Sequence, residues 1–214
     1  MMTVSIVSLA PRSERELMAV FAIRSGEHIQ KESFLISAEF ARVHALTEGE
    51  CDRSCYEAVE HHARVYHALK CGMRALSFGT CSPKRLLQKL TEKGMERSVA
   101  REAIRELCRL GYMNPSADAL REAERCVAKE WGKKRIVSDL YAKGYSESEV
   151  RDALFGLEDA EVDFSALCAE RIRKQVGVVP SEPVERQKLV ASLERYGFSY
   201  SEIREAFRQV EESV

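Results

Sequence analysis

Aromatic residues make up only 7% of this 214-residue chain, and prolines number five. No stretch approaches the ~18 consecutive apolar residues that a membrane-spanning helix needs, so the sequence offers no such helix. The first nine residues lack the positively charged start of a secretory signal. Charge of one sign is missing overall, because a formal net charge of −1 leaves no uniformly basic coat for nucleic acid. The usual catalytic motifs are absent as well: there is no glycine-rich phosphate loop, no nucleophile elbow and no HExxH. His28, His44 and His67 stand far apart without recognisable partners. The expectation is a protein without catalytic residues or a cofactor, acting by binding.

Cysteine, by contrast, is plentiful but odd in number. Cys51, Cys55, Cys71, Cys81, Cys108, Cys126 and Cys168 are scattered through segments of helical character. An odd, scattered set fits reduced thiols in a cytoplasmic protein better than a disulfide framework. Cys51-x-x-x-Cys55 with His61 and His62 has the residue types of a zinc site. Neighbouring histidines on one helix point about 100° apart, however, and do not converge tetrahedrally, so no metal is expected.

What the chain does have is helical periodicity. Thr3–Leu9, Leu17–Ile23 and Ser33–Ser37 read as short strands, followed by a loop at Thr47–Asp52 and a helix over Ser54–Leu76. Beyond that leader an internal pattern recurs. When Gly94, Gly144 and Gly197 are aligned, leucine stands four residues before each, at Leu90, Leu140 and Leu193. Seven and eight before stand Leu87 and Leu86, Val137 and Ile136, then Val190 and Leu189. At six, nine, ten and thirteen after come Ala100, Ala103, Ile104 and Leu107 in the first copy. Val150, Ala153, Leu154 and Leu157 fill those columns in the second, and Ile203, Ala206, Phe207 and Val210 in the third.

These columns put one apolar stripe on a helix that stops at a left-handed glycine, and a second stripe on the helix that follows. Ser146…Glu149 and Ser199…Glu202 are capping boxes for the following helix, and Ser82-Pro83 marks a helix start in the first copy. A further helix precedes each pair, near 64–78, 117–131 and 162–176, and Gly132 and Gly177 can end the latter two. The expected fold is therefore mainly α: three tandem three-helix repeats in an elongated array, with a short β-rich N-terminal leader. The segments are 1–63 for the leader, then 64–110, 111–158 and 159–214 for the repeats.

Charge is unevenly spread. Residues 71–110 hold nine basic and four acidic groups, +5, whereas residues 158–214 hold eight and twelve, −4. Arg97, Arg101, Arg105 and Arg109 recur every four residues and form one stripe on a helix. Lys84, Arg85, Lys89 and Lys93 lie on the helix before it, and Lys133, Lys134 and Arg135, beside Lys129, form a smaller cluster. Such a block suits phosphates or an acidic protein groove. The plain alternative is a solvated face with intrahelical pairs such as Glu102 with Arg105.

Gly132, Arg135, Ile136, Asp139, Leu140, Lys143 and Gly144 also match the signature segment of the RecX regulatory proteins, and Lys89-Leu90 and Lys93-Gly94 echo it. The resemblance covers about residues 64–210. It implies a bacterial regulator in DNA repair, recombination and the SOS response that binds the RecA recombinase filament and limits its strand exchange and ATP hydrolysis. DNA contact through the basic face, no membrane and a monomeric state go with that expectation. The alternative is a helix-turn-helix-like transcriptional regulator, imitated by Arg135–Gly156. Against it stand Glu147, Glu149 and Asp152 on the would-be recognition helix. The thiol reading has a direct check: titrating denatured, unreduced protein prepared anaerobically should count seven thiols, and three bonded pairs would overturn it.

Overall fold

A computed structural model describes residues 2–212; Met1, Ser213 and Val214, at the edges of the expected first and last segments, lie outside it. The described residues fold as a mainly helical chain with a small antiparallel sheet, and they form two compact units. One comprises residues up to Gly79 together with Leu86–Tyr112; the other joins Thr80–Arg85 to the chain from Met113 onward.

In the first unit, β1 (Met2–Ser13), β2 (Glu16–Ser25), β3 (His28–Ser37) and β4 (Gly49–Cys51) pair antiparallel in the order β3-β2-β1-β4. The strands are longer than the apolar runs predict. Backbone pairing continues through polar residues, as at Ser25↔His28, once a neighbouring strand supplies partners. The expected loop at 47–52 contains β4, whose Gly49–Cys51 pairs with Val4–Ile6. One sheet face carries Val4, Ile6, Ala19, Phe21 and Ile36, all buried together with Ala41 of α1 (Ala38–Val43) and Val59 of α2 (Arg53–Leu76). Phe21, Phe34 and Tyr56 meet edge to face with centroids 5.3–5.8 Å apart, a favourable arrangement of ring quadrupoles.

α2 runs unbroken through the expected boundary between residues 63 and 64, because its 24 residues contain no proline and no internal glycine before Gly72. α4 (Arg97–Arg109) turns Val99, Ala100, Ala103, Ile104 and Leu107 inward, following α3 (Pro83–Glu92).

The second unit holds α5 (Pro115–Val127), α6 (Lys133–Ala142), α7 (Glu147–Asp159), α8 (Phe164–Gln175), α9 (Pro183–Arg195) and α10 (Tyr200–Glu211). Ala119, Ala123, Ile136, Leu140, Val150 and Leu157 belong to one cluster. Cys168, Ile172, Leu193, Phe198, Ile203 and Phe207 belong to another. α5 stops earlier than Gly132 suggests. Glu130 rather than a glycine takes the left-handed conformation there, at φ 56°, and Gly132 is the N-cap of α6.

The aligned glycines have φ of 82°, 88° and 93°. After each, an N–H reaches back six residues inclusively: Met95 to the Leu90 carbonyl, Tyr145 to Leu140, and Phe198 to Leu193. This is the closure of a Schellman motif, which satisfies a carbonyl left over at the helix end. Both serine–glutamate capping boxes form at Ser146 and Ser199. At the first turn Glu96 is the N-cap, without a side-chain capping bond.

Buried thiols are shielded. Burial pushes the Cys168 thiol up to about 12 and Cys126 to about 11, the latter also beside the Asp139 carboxylate. Leu140 is fully buried. Replacing it with alanine should cost about 2–5 kcal/mol in denaturant melts, the usual range for a cavity of this kind. A loss below about 1 kcal/mol would show that the core around it is not shared as described.

Candidate functional site: exposed arginines and a glycine joint

The arginine spacing on α4 is realised as a surface stripe. Arg97, Arg101, Arg105 and Arg109 are all exposed, opposite the buried Ala100–Leu107 face. The acids interleaved with them turn elsewhere. Glu96 pairs with Arg64 of α2 and accepts from Ser98. Glu102 bonds to His61 Nε2 at 2.9 Å, not to Arg105 as in the plain alternative of intrahelical pairs. Glu106 is the exception: it takes Arg109 Nη2 at 2.6 Å and Nε at 2.8 Å, and these bonds hold its carboxyl below the ordinary glutamate value. Among the described residues Arg97, Arg101 and Arg105 make no ion pair. Lys89 is half-buried, while Lys93 stands exposed near the end of α3.

Beside the stripe lies a cavity of about 670 Å³ that the sequence did not announce. Its walls bring α1 and α2 to Arg105 and Arg109 of α4. Phe40 stacks on His62 at 3.8 Å between centroids, and the His44 ring lies 4.2 Å from Phe40, tilted by 37°. His62 Nε2 lies 3.2 Å from Ser37 Oγ, the hydroxyl that caps α1. Burial, then the neighbouring His44 and His61, lower His62 to about 4. It is therefore neutral near pH 7. His61 and His62 thus serve different partners, and Cys51 and Cys55 belong to the sheet core.

The other candidate basic residues sit in the second unit, beside two joints between helix starts and glycine turns. Ser82, only 2% exposed, donates its hydroxyl to the Lys143 carbonyl at 2.6 Å and accepts from the Arg85 N–H. The start of α3 thereby docks on the Gly144 turn, with the Lys84 stem lying where a Cβ on Gly144 would crowd it. Lys84 and Arg85 are themselves exposed. The start of α6 docks in the same manner on the Gly197 turn. The Gly132 N–H donates to the Tyr196 carbonyl at 2.8 Å and the Lys134 N–H to the Gly197 carbonyl at 3.1 Å. A Cβ on Gly132 would overlap the Gly197 backbone, and one on Gly197 would overlap Arg135. Only glycine permits this approach.

Arg135, a candidate contact residue, closes the joint. Its guanidinium lies 4.0 Å from the Trp131 ring centroid and 5.1 Å from that of Tyr196, whose ring also receives Arg171 at 3.3 Å. Lys133 pairs with Glu158 at 2.8 Å, and Lys134 is exposed. Lys143 lies between Glu122 at 2.6 Å and Asp139 at 2.8 Å. Its partial burial opposes charge, but those two carboxylates outweigh it and raise its pKa.

Seven signature positions therefore share one physical task. Gly132, Arg135 and Gly144 make the joints, Ile136 and Leu140 fill the core, and Asp139 with Lys143 ties α6 to its own turn.

No family model matches the chain. Among curated proteins it is similar to the regulatory protein RecX of Vibrio vulnificus (strain CMCP6), at 31% identity over 121 residues, covering 56% of this chain and 78% of that protein. It is also similar to the regulatory protein RecX of Lactococcus lactis subsp. cremoris (strain SK11), at 30% identity over 144 residues and 62% of this chain. The chain spans about half the length of the Lactococcus relative, 53%. A crystal structure of regulatory protein RecX superposes with a TM-score of 0.69 at 19% identity, covering 96% of this chain and 99% of the other. RecX from Lactobacillus salivarius gives 0.59 at 21% identity, covering 69% and 97%. At those identities the structures establish likeness of fold. The glycine joint can be probed directly: Gly132→Ala should lose about 1–3 kcal/mol in urea melts, the range for overpacking. Stability unchanged within about 0.5 kcal/mol would show that the two turns do not need this close approach.

Proposed function

Because this chain belongs to the RecX family of regulatory proteins, we propose that it binds the RecA recombinase filament and inhibits its recombinase and ATPase activity in DNA repair, recombination and the SOS response. On this reading it is a cytoplasmic, non-catalytic, monomeric regulator that acts by occupying the filament.

The observation that carries the proposal in this chain is the exposed arginine row on α4, whose interleaved Glu96 and Glu102 are engaged by α2. A filament of recombinase on DNA presents phosphates and acidic protein surface, and guanidinium groups free of ion pairs can meet either without first breaking one. Lys89 and Lys93 extend the positive surface in the first unit, and Lys84, Arg85, Lys133 and Lys134 supply a second one. Arg135 is a candidate whose guanidinium would have to leave two rings to reach a partner.

The architecture we propose for this task is three tandem three-helix repeats in an elongated array, over 64–110, 111–158 and 159–214, behind the leader 1–63. Three equivalent glycine turns with the same backward bond after each support it. The transcriptional alternative fares less well. The exposed residues of α7 include the acids Glu147, Asp152, Glu158 and Asp159 against the single base Arg151, a poor face for phosphates.

Reversing Arg101→Glu and Arg105→Glu should leave the melt within about 0.5 kcal/mol of the parent, since both positions are exposed. Inhibition of filament ATPase should weaken strongly. The residual binding should depend less steeply on salt, the logarithmic slope falling by about 0.7 for each phosphate of single-stranded DNA that an arginine no longer neutralises. Arg204→Glu with Arg208→Glu, exposed in the acidic third segment, should change inhibition little. If the stripe variant inhibits as well as the parent, α4 is not the contact face.

A further inference from the structure

Cys51 and Cys55 are four residues apart in sequence, and the fold brings their side chains together. Cys51 ends β4, where it pairs with Val4 of β1. Cys55 lies in the first turn of α2. Between them Asp52 is the N-cap, its carboxylate accepting the Cys55 N–H at 2.7 Å and the Ser54 hydroxyl at 2.9 Å. Both cysteines are half-buried against the same sheet core, and their thiols share a hydrogen bond.

Their surroundings leave the two thiols to each other. His61 and His62, the other members of a zinc-like set, turn to Glu102 and Ser37. Among the described residues no three such side chains gather where they could hold a metal ion. Cys71 and Cys126 face other groups, the His67 imidazole at 3.8 Å and the Asp139 carboxylate at 3.6 Å. Burial, then the adjoining Cys55, pushes the Cys51 thiol up to about 11, which disfavours the reactive thiolate and keeps the pair reduced at rest.

We propose that Cys51 and Cys55 form an oxidisable dithiol, which a hydroperoxide converts into a disulfide between β4 and the start of α2. One sulfur, as thiolate, attacks the peroxide: an S–O bond forms, the O–O bond breaks, and the departing oxygen takes up a proton. The second sulfur then displaces the oxygen of that sulfenic acid. The S–S bond forms, the S–O bond breaks, and water leaves with the proton of the second thiol. Two electrons pass from the sulfurs to the peroxide, and a small thiol returns them by exchange.

The local structure prepares this bond. Sulfurs already in contact have only to close to about 2.05 Å. The Asp52 cap and the β4 pairing hold the backbone on both sides beforehand, so little chain entropy remains to be lost. A cavity of about 320 Å³ with Cys51 in its wall admits an oxidant of a few atoms. In a reducing compartment such a bond is transient and marks oxidative challenge. These contacts lie within the first unit and are independent of what the arginine row binds.

The test treats the full, reduced chain with millimolar hydrogen peroxide, quenches it, and counts thiols after denaturation. The expected result is two thiols fewer than the seven of the sequence. Trypsin cuts after Arg53, between the two cysteines, so in mass spectrometry the bond joins two peptides that separate on reduction. Cys51→Ser and Cys55→Ser should each abolish the joined peptides, and Cys71→Ser should leave them unchanged; circular dichroism melts check that each variant folds. In glutathione redox buffers the two thiols of the parent chain should show an effective concentration at least about tenfold higher when folded than in urea, because the turn holds the sulfurs together. Seven thiols surviving the peroxide overturn the proposal, as does oxidation at other cysteines without the joined peptides. An effective concentration in the folded chain no higher than in urea overturns it too, since the fold would then contribute nothing to the pairing.

Discussion

The structure depends on how closely a helix start can approach a glycine turn. A Schellman turn leaves the carbonyls just before and at its glycine pointing outward, and a helix start has N–H groups without partners. Bringing the two together satisfies both sets at once, as the Gly132 and Lys134 N–H groups do on Tyr196 and Gly197. The fit is tight enough that neither Gly132 nor Gly197 has room for a Cβ. At the Gly144 turn a serine hydroxyl replaces the backbone donor, so the first joint is a variation on the second. Cation–π contacts from Arg135 and Arg171 then lock Trp131 and Tyr196 around the second joint, interactions that gain strength where water is excluded.

This explains why a pattern of glycine, arginine, isoleucine, aspartate, leucine, lysine and glycine is held together as one segment. Each residue serves a single helix that must dock at its start and turn at its end. Asp139 and Lys143 are one turn apart, and their pair with Glu122 is half-buried, where it is screened less than a surface pair. Glu130 supports the same region from the preceding turn, pairing with Arg171 and Lys174.

Electrostatics in the first unit follow a different plan. α2 supplies Arg64 and His61 to the acids of α4, which leaves arginines outward. The burial of His62 keeps it neutral and removes a titrating charge from the adjoining cavity. Arg105 and Arg109 line that cavity with guanidinium groups, which stay charged at any physiological pH.

Much of this was legible from spacing alone. The apolar columns around Gly94, Gly144 and Gly197, the two capping boxes and the Ser82-Pro83 start are local features, set within about four turns of helix by periodicity and by hydrogen bonds between near neighbours. The outward direction of Arg97, Arg101, Arg105 and Arg109 followed from the same period. Tertiary structure decided what depends on distant partners. β4 exists because Val4–Ile6 offers an edge to Gly49–Cys51. Glu102 could reach Arg105 one turn away or His61 forty-one residues away, and packing of α4 beside α2 chose the latter. The docking of helix starts on glycine turns was invisible for the same reason. A glycine needed for a close approach and a glycine needed for a positive φ are the same letter, and only the neighbour brought in by the fold distinguishes Gly132 from Gly94.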